Sequence, residues 1–259
     1  LDYIVDVLQS RSLTMITHAS SNASESLLCV KENKEYLKTY TDREFEDDIF
    51  AILKDIFPNA DKWGREMSGE RVPEGLFSIQ YNIQIGSENQ EYRRLYSFDC
   101  KLTTKEKGYD LGIEEKRKAW DYIDELHKVR DVTKYSDKSE VSGHIFITNR
   151  FNENQISGMR TFFNEKMSDT CGTIPIFIEL EQILLLHKLY RNNYNDILVR
   201  RNTFYEEINK LFTQEDGIIT NEDINECFEE ILEQEPEHRL LDMKRIKKKM
   251  KSGGKVGNT

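Results

Sequence analysis

The sequence predicts an α/β fold in which a mixed β-sheet is flanked by helices and followed by a helical C-terminal extension. Short runs rich in β-branched and aromatic residues alternate with segments whose apolar residues recur at helical spacing, which is typical of a sheet covered by helices. After Tyr190 the strand-like runs stop and amphipathic, charged helical patterns remain. The expected organisation is an N-terminal helical or loop segment (1–40), a core (41–192), the helical extension (193–250) and a flexible tail (251–259).

The N-terminal segment is predicted to hold little regular structure. A short helix is expected over Asp2 to Gln9, and the Ser, Thr and Asn content of Ser10 to Ser24 favours a loop. The first strongly amphipathic helix begins after Thr41 or Asp42, either of which is a good N-cap, and continues until Pro58. Its apolar stripe should pack against the sheet.

Two strand-like stretches, Leu76 to Ile85 and Tyr96 to Leu102, are predicted to pair as a hairpin through the polar segment Gly86 to Arg94. A helix from about Ile113 to Val129 follows.

The second half of the core alternates strands and helices. The predicted order is a buried strand at 144–148, a helix near 153–167, a strand at 174–178 and a helix through 183–189. Pro175 places its strand at a sheet edge or puts the residue at the strand's start. In the extension, one amphipathic helix is expected over 197–212, and a second is expected after an Asn221 cap.

Three charged side chains meet in the predicted hairpin. Asp99 and Lys101 are two positions apart on one strand, so they project from the same face. Glu74 comes just before the partner strand and could join them. Two carboxylates and an ammonium suit hydrolysis of a phosphodiester, because carboxylate oxygens hold Mg²⁺, which activates water and stabilises charge on the phosphate.

The same trio could instead be a surface ion pair, because acid-x-Lys triplets are common in a chain that is 32% charged. Three other triplets match: Glu32-Asn33-Lys34, Glu114-Glu115-Lys116 and Asp242-Met243-Lys244. The triplet Asp99-Cys100-Lys101 differs in its apolar strand flank and in the Pro-Glu-Gly turn upstream.

Four pieces of sequence occur in a characteristic order: Pro73-Glu74-Gly75, Asp99-Cys100-Lys101, Gly108-Tyr109-Asp110-Leu111 and the apolar strand at 144–148. In this order they resemble the cleavage domains of type IIS restriction endonucleases of the FokI kind, within the PD-(D/E)xK nuclease superfamily. The resemblance implies a restriction-endonuclease-like core. Glu74 stands where the commonest motif has Asp, which would move the carboxylate slightly.

The resemblance also implies roles for individual residues. Glu74 and Asp99 would hold Mg²⁺ together with the backbone carbonyl of Cys100, and Lys101 would orient or help deprotonate the attacking water. Glu46, on the first turns of the predicted Thr41 helix, could face the metal as a helical Glu does in many superfamily members, or it could be a solvated acid. The implied activity is Mg²⁺-dependent endonucleolytic cleavage of double-stranded DNA.

The formal net charge of −10 argues against strong DNA binding by the chain alone, because phosphate repels an acidic surface. We therefore expect a recognition domain or a second nuclease subunit to deliver this chain to the duplex. One set of Glu74, Asp99 and Lys101 can cleave only one phosphodiester bond at a time, so cutting both strands would need a transient homodimer or heterodimer. The helix with Lys116, Arg117, Trp120 and Asp124 is the candidate interface, or these residues are its solvated face.

Other sequence features argue against several classes of protein: membrane-spanning, secreted, zinc-binding and Ser/His/Asp hydrolytic. No apolar run is long enough to cross a membrane, and no secretory signal pattern opens the chain, so a soluble, cytoplasmic protein is expected, although a preceding segment could have been lost. Cysteine and histidine spacing does not suggest a zinc site, and no Ser/His/Asp constellation is recognisable. The basic run Lys244 to Lys251 could contact phosphate or be a solvated helix end.

Two alternatives to a restriction subunit stay open. The chain could be the effector nuclease of another anti-phage defence system, gated by a sensor partner. It could also be a catalytically silent interaction subunit whose acidic, helical C-terminal region binds a partner protein.

Overall fold

The computed structural model describes residues 2–63, 72–85, 87–128, 141–166 and 172–236, with the backbone alone for residues 2–11. The helices in these ranges are α1 (Asp2–Glu32), α2 (Lys34–Thr39), α3 (Asp42–Ile56), α4 (Ile113–Lys128), α5 (Glu153–Lys166), α6 (Leu180–Asn192), α7 (Tyr194–Leu198), α8 (Arg201–Phe212) and α9 (Asn221–Glu233). The strands are β1 (Asp61–Lys62), β2 (Gly75–Ile85), β3 (Glu88–Lys101), β4 (Val141–Thr148) and β5 (Ile174–Glu179).

The strands form one five-stranded mixed sheet in the order β1-β2-β3-β4-β5. The pairs β1/β2 and β2/β3 are antiparallel, whereas β3/β4 and β4/β5 are parallel. The sheet with its flanking helices confirms the predicted α/β class. Pro175 lies on β5, which is an edge strand in this order, as its missing N–H group requires.

Each face of the sheet carries its own apolar layer because side chains alternate along each strand. The larger layer packs Tyr96, Phe98 and Cys100 of β3 against α1, α3, α6, α8 and α9. The opposite face packs Phe146 and Phe177 against α4 and α5. The helices α8 and α9 belong to the larger layer, so the extension shares the main core.

The predicted N-terminal loop is wrong. Residues 10–24 lie inside the single helix α1, whose buried side chains include Ala23, Leu27 and Val30. Some hydroxyls of this helix bond to its own backbone, as Thr17 Oγ1 does to the Leu13 carbonyl at 2.9 Å. Packing against α3 and α6 therefore outweighs the low helix propensity of the Ser and Thr residues.

Three further boundaries differ from expectation. Strand β3 begins at Glu88, so most of the predicted polar connection is strand. The helix expected over 197–212 is divided into α7 and α8. The N-cap of α9 is Thr220, which forms a capping box with Asp223, and Asn221 is the first helical residue. The Lys244 to Lys251 run and the 251–259 tail lie outside the described residues.

Several boundaries were predicted correctly. Helix α3 begins after a Thr41 capping box with Glu44, and α4, α5, β4 and β5 fall within a few residues of their expected positions. Within the described part of the chain, no helix has the length and apolar character needed to cross a membrane.

Candidate active site

The candidate site lies where β3 ends and β2 begins. Gly75 pairs with Phe98 in antiparallel register, so Glu74 and Asp99 stand next to each other across the two strands. The Glu74 carbonyl accepts a hydrogen bond of 2.8 Å from the Trp63 amide, which holds its backbone against β1. A Cβ at Gly75 would collide with the Asp61 carbonyl oxygen and the Phe98 ring, so this close approach requires glycine.

One ammonium group lies among three carboxylates. Lys101 Nζ is 3.1 Å from Asp99 Oδ1, 3.2 Å from Glu74 Oε1 and 3.9 Å from Glu46 Oε1. The Asp99 side chain is only 5% exposed, and the other three are 18–23% exposed. The structure therefore brings together Glu46, Glu74, Asp99 and Lys101, and Glu46 faces this cluster and is not a solvated acid.

Burial and mutual repulsion shift the protonation of these groups. Burial, with the Glu74 charge adding to it, raises the pKa of Asp99 to about 6 although Lys101 opposes the shift. The same two causes raise the pKa of Glu46 to about 7. Burial alone would lower the pKa of Lys101, but the neighbouring carboxylates raise it above its ordinary value, so this side chain is an ammonium.

The cluster has the ligand chemistry of a hard divalent cation, and one of its atoms lacks a hydrogen bond. Asp99 Oδ1 is buried and accepts no hydrogen bond of good geometry from the described residues, despite its ion pair with Lys101. However, among the described residues no three His, Cys, Asp or Glu side chains are arranged to hold a metal ion. The oxygen donors suit Mg²⁺ in kind, and in this arrangement the ammonium of Lys101 occupies their centre.

The Cys100 thiol has no place in the cluster. It points into the larger apolar layer, and burial raises its pKa well above its ordinary value. The Cys100 side chain therefore lies on the face of β3 opposite to Asp99 and Lys101, and the ligand role of its carbonyl stays a prediction.

A second polar group borders the site from α4. Glu115 is buried, accepts a 2.6 Å hydrogen bond from Lys118 Nζ and is hydrogen-bonded to the Tyr109 hydroxyl. Burial and the Asp99 charge raise the pKa of Tyr122 to about 12, so its phenol stays protonated beside the cluster. Sequence analysis did not select Glu115 or Tyr122. The only signal was their helix, which directly follows the Gly-Tyr run.

The Gly108-Tyr109 turn is fixed to the end of β4. Tyr109 donates its amide to the Arg150 carbonyl at 2.7 Å and accepts from the Asn152 amide at 3.0 Å. Gly108 has a φ of +86°, and a Cβ there would collide with the Phe151 carbonyl. Glycine is thus required for the turn that brings Tyr109 to Glu115.

A second constellation, which the sequence did not reveal, joins three helices. Ser24 Oγ is 2.9 Å from His187 Nδ1, and His187 Nε2 is 3.1 Å from Asp55 Oδ2. Asp55 also binds Arg191 and the Ser20 hydroxyl. This resembles a hydrolytic triad, but Ser24 lies inside α1, where backbone amides are used by the helix and offer no oxyanion hole. The network therefore connects α1, α3 and α6.

Comparison with protein-family models, curated proteins and solved structures finds no match to this chain. The nuclease resemblance therefore rests on the motif order.

Proposed function

We propose that this chain is a Mg²⁺-dependent endonuclease that hydrolyses phosphodiester bonds of double-stranded DNA. The observation that carries the proposal is the convergence of Glu46, Glu74 and Asp99 on the Lys101 ammonium at the end of β3. A surface ion pair needs one acid and stays solvated, whereas these groups are largely removed from water. Keeping several partly desolvated carboxylates together costs folding free energy, which is typical of functional sites.

Glu74 and Asp99 would hold the metal with the Cys100 carbonyl, and Glu46 would be an accessory acid. When bound, Mg²⁺ would lower the pKa of a coordinated water and offset charge on the phosphate. The neighbouring carboxylates raise the pKa of Lys101, so its side chain is an ammonium. It would orient the attacking water and donate hydrogen bonds to the phosphate oxygens. Of the two roles that the resemblance implies for this lysine, the raised pKa favours orientation over deprotonation.

The site would serve as the cleavage part of a type IIS-like restriction system or a related defence nuclease, with recognition supplied elsewhere. The net charge of −10 supports this division, because few cations are available to displace counterions from DNA. Joining the chain to a sequence-specific DNA-binding domain should direct cutting to the flanks of that domain's site.

The test is plasmid cleavage with Mg²⁺ by the wild type and by the Asp99→Ala and Lys101→Ala variants. Each variant should stay folded and lose cleavage by about a thousandfold or more, because each loses a contact to the metal or to the water. Calorimetric titration with Mn²⁺ should show heat of binding that Asp99→Ala abolishes.

The matched control is Lys34→Ala, an exposed lysine of another acid-x-Lys triplet. It should cut like the wild type. Cleavage by Asp99→Ala or Lys101→Ala at the wild-type rate would refute the assignment, and it would favour the interaction-subunit alternative.

A further inference from the structure

Strands β2 and β3 extend beyond the sheet as a two-stranded arm. β4 pairs with β3 only from Leu95 onward, and β1 pairs with β2 only at Gly75 and Leu76. Among the described residues, 79–85 and 88–94 pair only with each other, from Ile79↔Arg94 to Ile85↔Glu88. These two segments are called the arm below.

The two faces of the arm differ. One face stacks Tyr81 on Tyr92, with ring centroids 5.5 Å apart, and packs Ile83 onto the larger apolar layer. The other, called the outer face, lies on the same side of the sheet as Glu74, Asp99 and Lys101, because side chains alternate along a strand. The outer face carries Gln80, Asn82, Gln84, Asn89, Glu91 and Arg93.

The β2 edge of the arm is partly occupied by side chains that bond to its backbone. The Asn202 side chain donates to the Asn82 carbonyl at 2.9 Å and accepts from its amide at 2.6 Å. Asn59 pairs in the same way with both backbone groups of Ser78. At Ser78 and Asn82 these side chains occupy backbone groups that strand addition uses, which disfavours a partner's β-strand along the β2 edge.

The charge of this region departs from that of the chain. A groove of about 760 Å³ follows the edge of β2. Its lining, among the residues that the structure describes, is mostly amide side chains with one charged residue, Arg201, over the Tyr205 ring. Glu91 on the outer face is neutralised by Arg93 at 2.9 Å. In a chain of net charge −10, this surface carries little negative charge and therefore does not repel a polyanion.

We propose that the outer face of the arm binds duplex DNA in the major groove. The Gln80 and Asn82 side chains would contact base edges, and Arg201 would contact a phosphate. The major groove admits a two-stranded ribbon, and the amides of Asn and Gln pair with the N6 and N7 positions of adenine. This rests on the proposed nuclease function, to which it adds a preference for A·T pairs away from the scissile bond, because Gln80 lies six residues, or about 20 Å of strand, from Glu74. One arginine gives little electrostatic affinity, so binding is weak.

The experiment measures binding of fluorescent duplexes by anisotropy in EDTA, so that no cleavage is needed. The double variant Gln80→Ala/Asn82→Ala should bind an A·T-containing duplex at least about fivefold more weakly and lose its preference over an all-G·C duplex. Arg201→Ala should weaken binding to both duplexes alike and reduce the slope of log affinity against log salt by about one.

The matched control is Gln90→Ala, an exposed amide of the same arm on its opposite face, which should bind like the wild type. Thermal melting shows whether each variant is folded. If the wild type bound an RNA duplex as tightly as the DNA duplex, the proposal would be overturned, because side chains cannot read the narrow, deep major groove of RNA. The proposal would also be overturned if the wild-type protein, at about 100 µM and low salt, showed no detectable binding to the DNA duplex.

The outcomes separate the two proposals. Binding that depends on Gln80 and Asn82, without any Mg²⁺-dependent cutting, would refute the nuclease function and leave the arm as a DNA-binding element. Cutting that is lost in Asp99→Ala, together with wild-type binding by the double variant, would refute the role of the arm and leave the nuclease function.

Discussion

Replacing Asp99 by asparagine should stabilise the metal-free protein while removing its activity. Asparagine has nearly the shape of a protonated aspartic acid and cannot be charged. The carboxyl group is buried, and burial raises its pKa from 3.8 to about 6 despite the nearby Lys101. Folding therefore favours the neutral form of this side chain, which the variant has permanently.

The size of the effect follows from the pKa difference. A shift of about two units corresponds to about 3 kcal/mol, at about 1.4 kcal/mol per unit. Because the pKa of Asp99 is raised by folding, the contribution of this group to the unfolding free energy of the wild type is fully present below about pH 4. It is lost as the pH rises through about 6. Relative to the wild type, Asp99→Asn should gain little at pH 4 and up to about 3 kcal/mol at pH 8.

Urea unfolding in EDTA at pH 4, 6 and 8 measures the difference directly. Asp196→Asn, which changes an exposed acid paired with Arg200, is the control and should shift the unfolding free energy by less than about 1 kcal/mol at every pH. A pH-independent difference, or a variant less stable than the wild type at pH 8, would refute the electrostatic argument.

Two other predictions concern the helix network and assembly. Asp55→Ala should lower the unfolding free energy by about 3–5 kcal/mol, because it leaves Arg191 and His187 without their buried partner. If a fluorophosphonate labelled Ser24 in the wild type, the purely structural role of this network would be contradicted. If cutting both strands requires two chains paired through α4, Arg117→Glu should reduce linear plasmid but not nicked plasmid as chain concentration rises. Double-strand breaks made in one encounter by a strictly monomeric chain would refute the two-chain argument.

The elements predicted correctly are those with local determinants. Thr41 and Glu44 form a capping box within one turn, and β2 alternates buried and more exposed residues from Phe77 to Asn82. Asp99 and Lys101 fall on one face for the same reason. Glu74 joins them through the register of an antiparallel pair, which the Gly75 turn and the two strand patterns already indicate.

The missed features depend on contacts between distant residues. Ser24 meets His187 from 163 positions away, so no local pattern shows that the Ser-rich segment is a buried helix. Glu46 follows the buried Phe45 on α3, and spacing alone could not decide whether it faced water or the end of β3. Glu115 looked like part of an ordinary acid-x-Lys triplet until α4 placed it beside Tyr109.

Charge at the cluster links the proposed metal dependence to weak DNA binding. When all groups are ionised, Glu46, Glu74 and Asp99 with Lys101 leave two net negative charges around a partly buried point. A phosphodiester brings a third and would be repelled. A divalent cation cancels the two charges of the protein, so metal and DNA should each strengthen the binding of the other at this site. Burial, with the same repulsion adding to it, raises the pKa of Glu46, and the repulsion makes the metal-free cluster costly to fold and poorly suited to hold DNA.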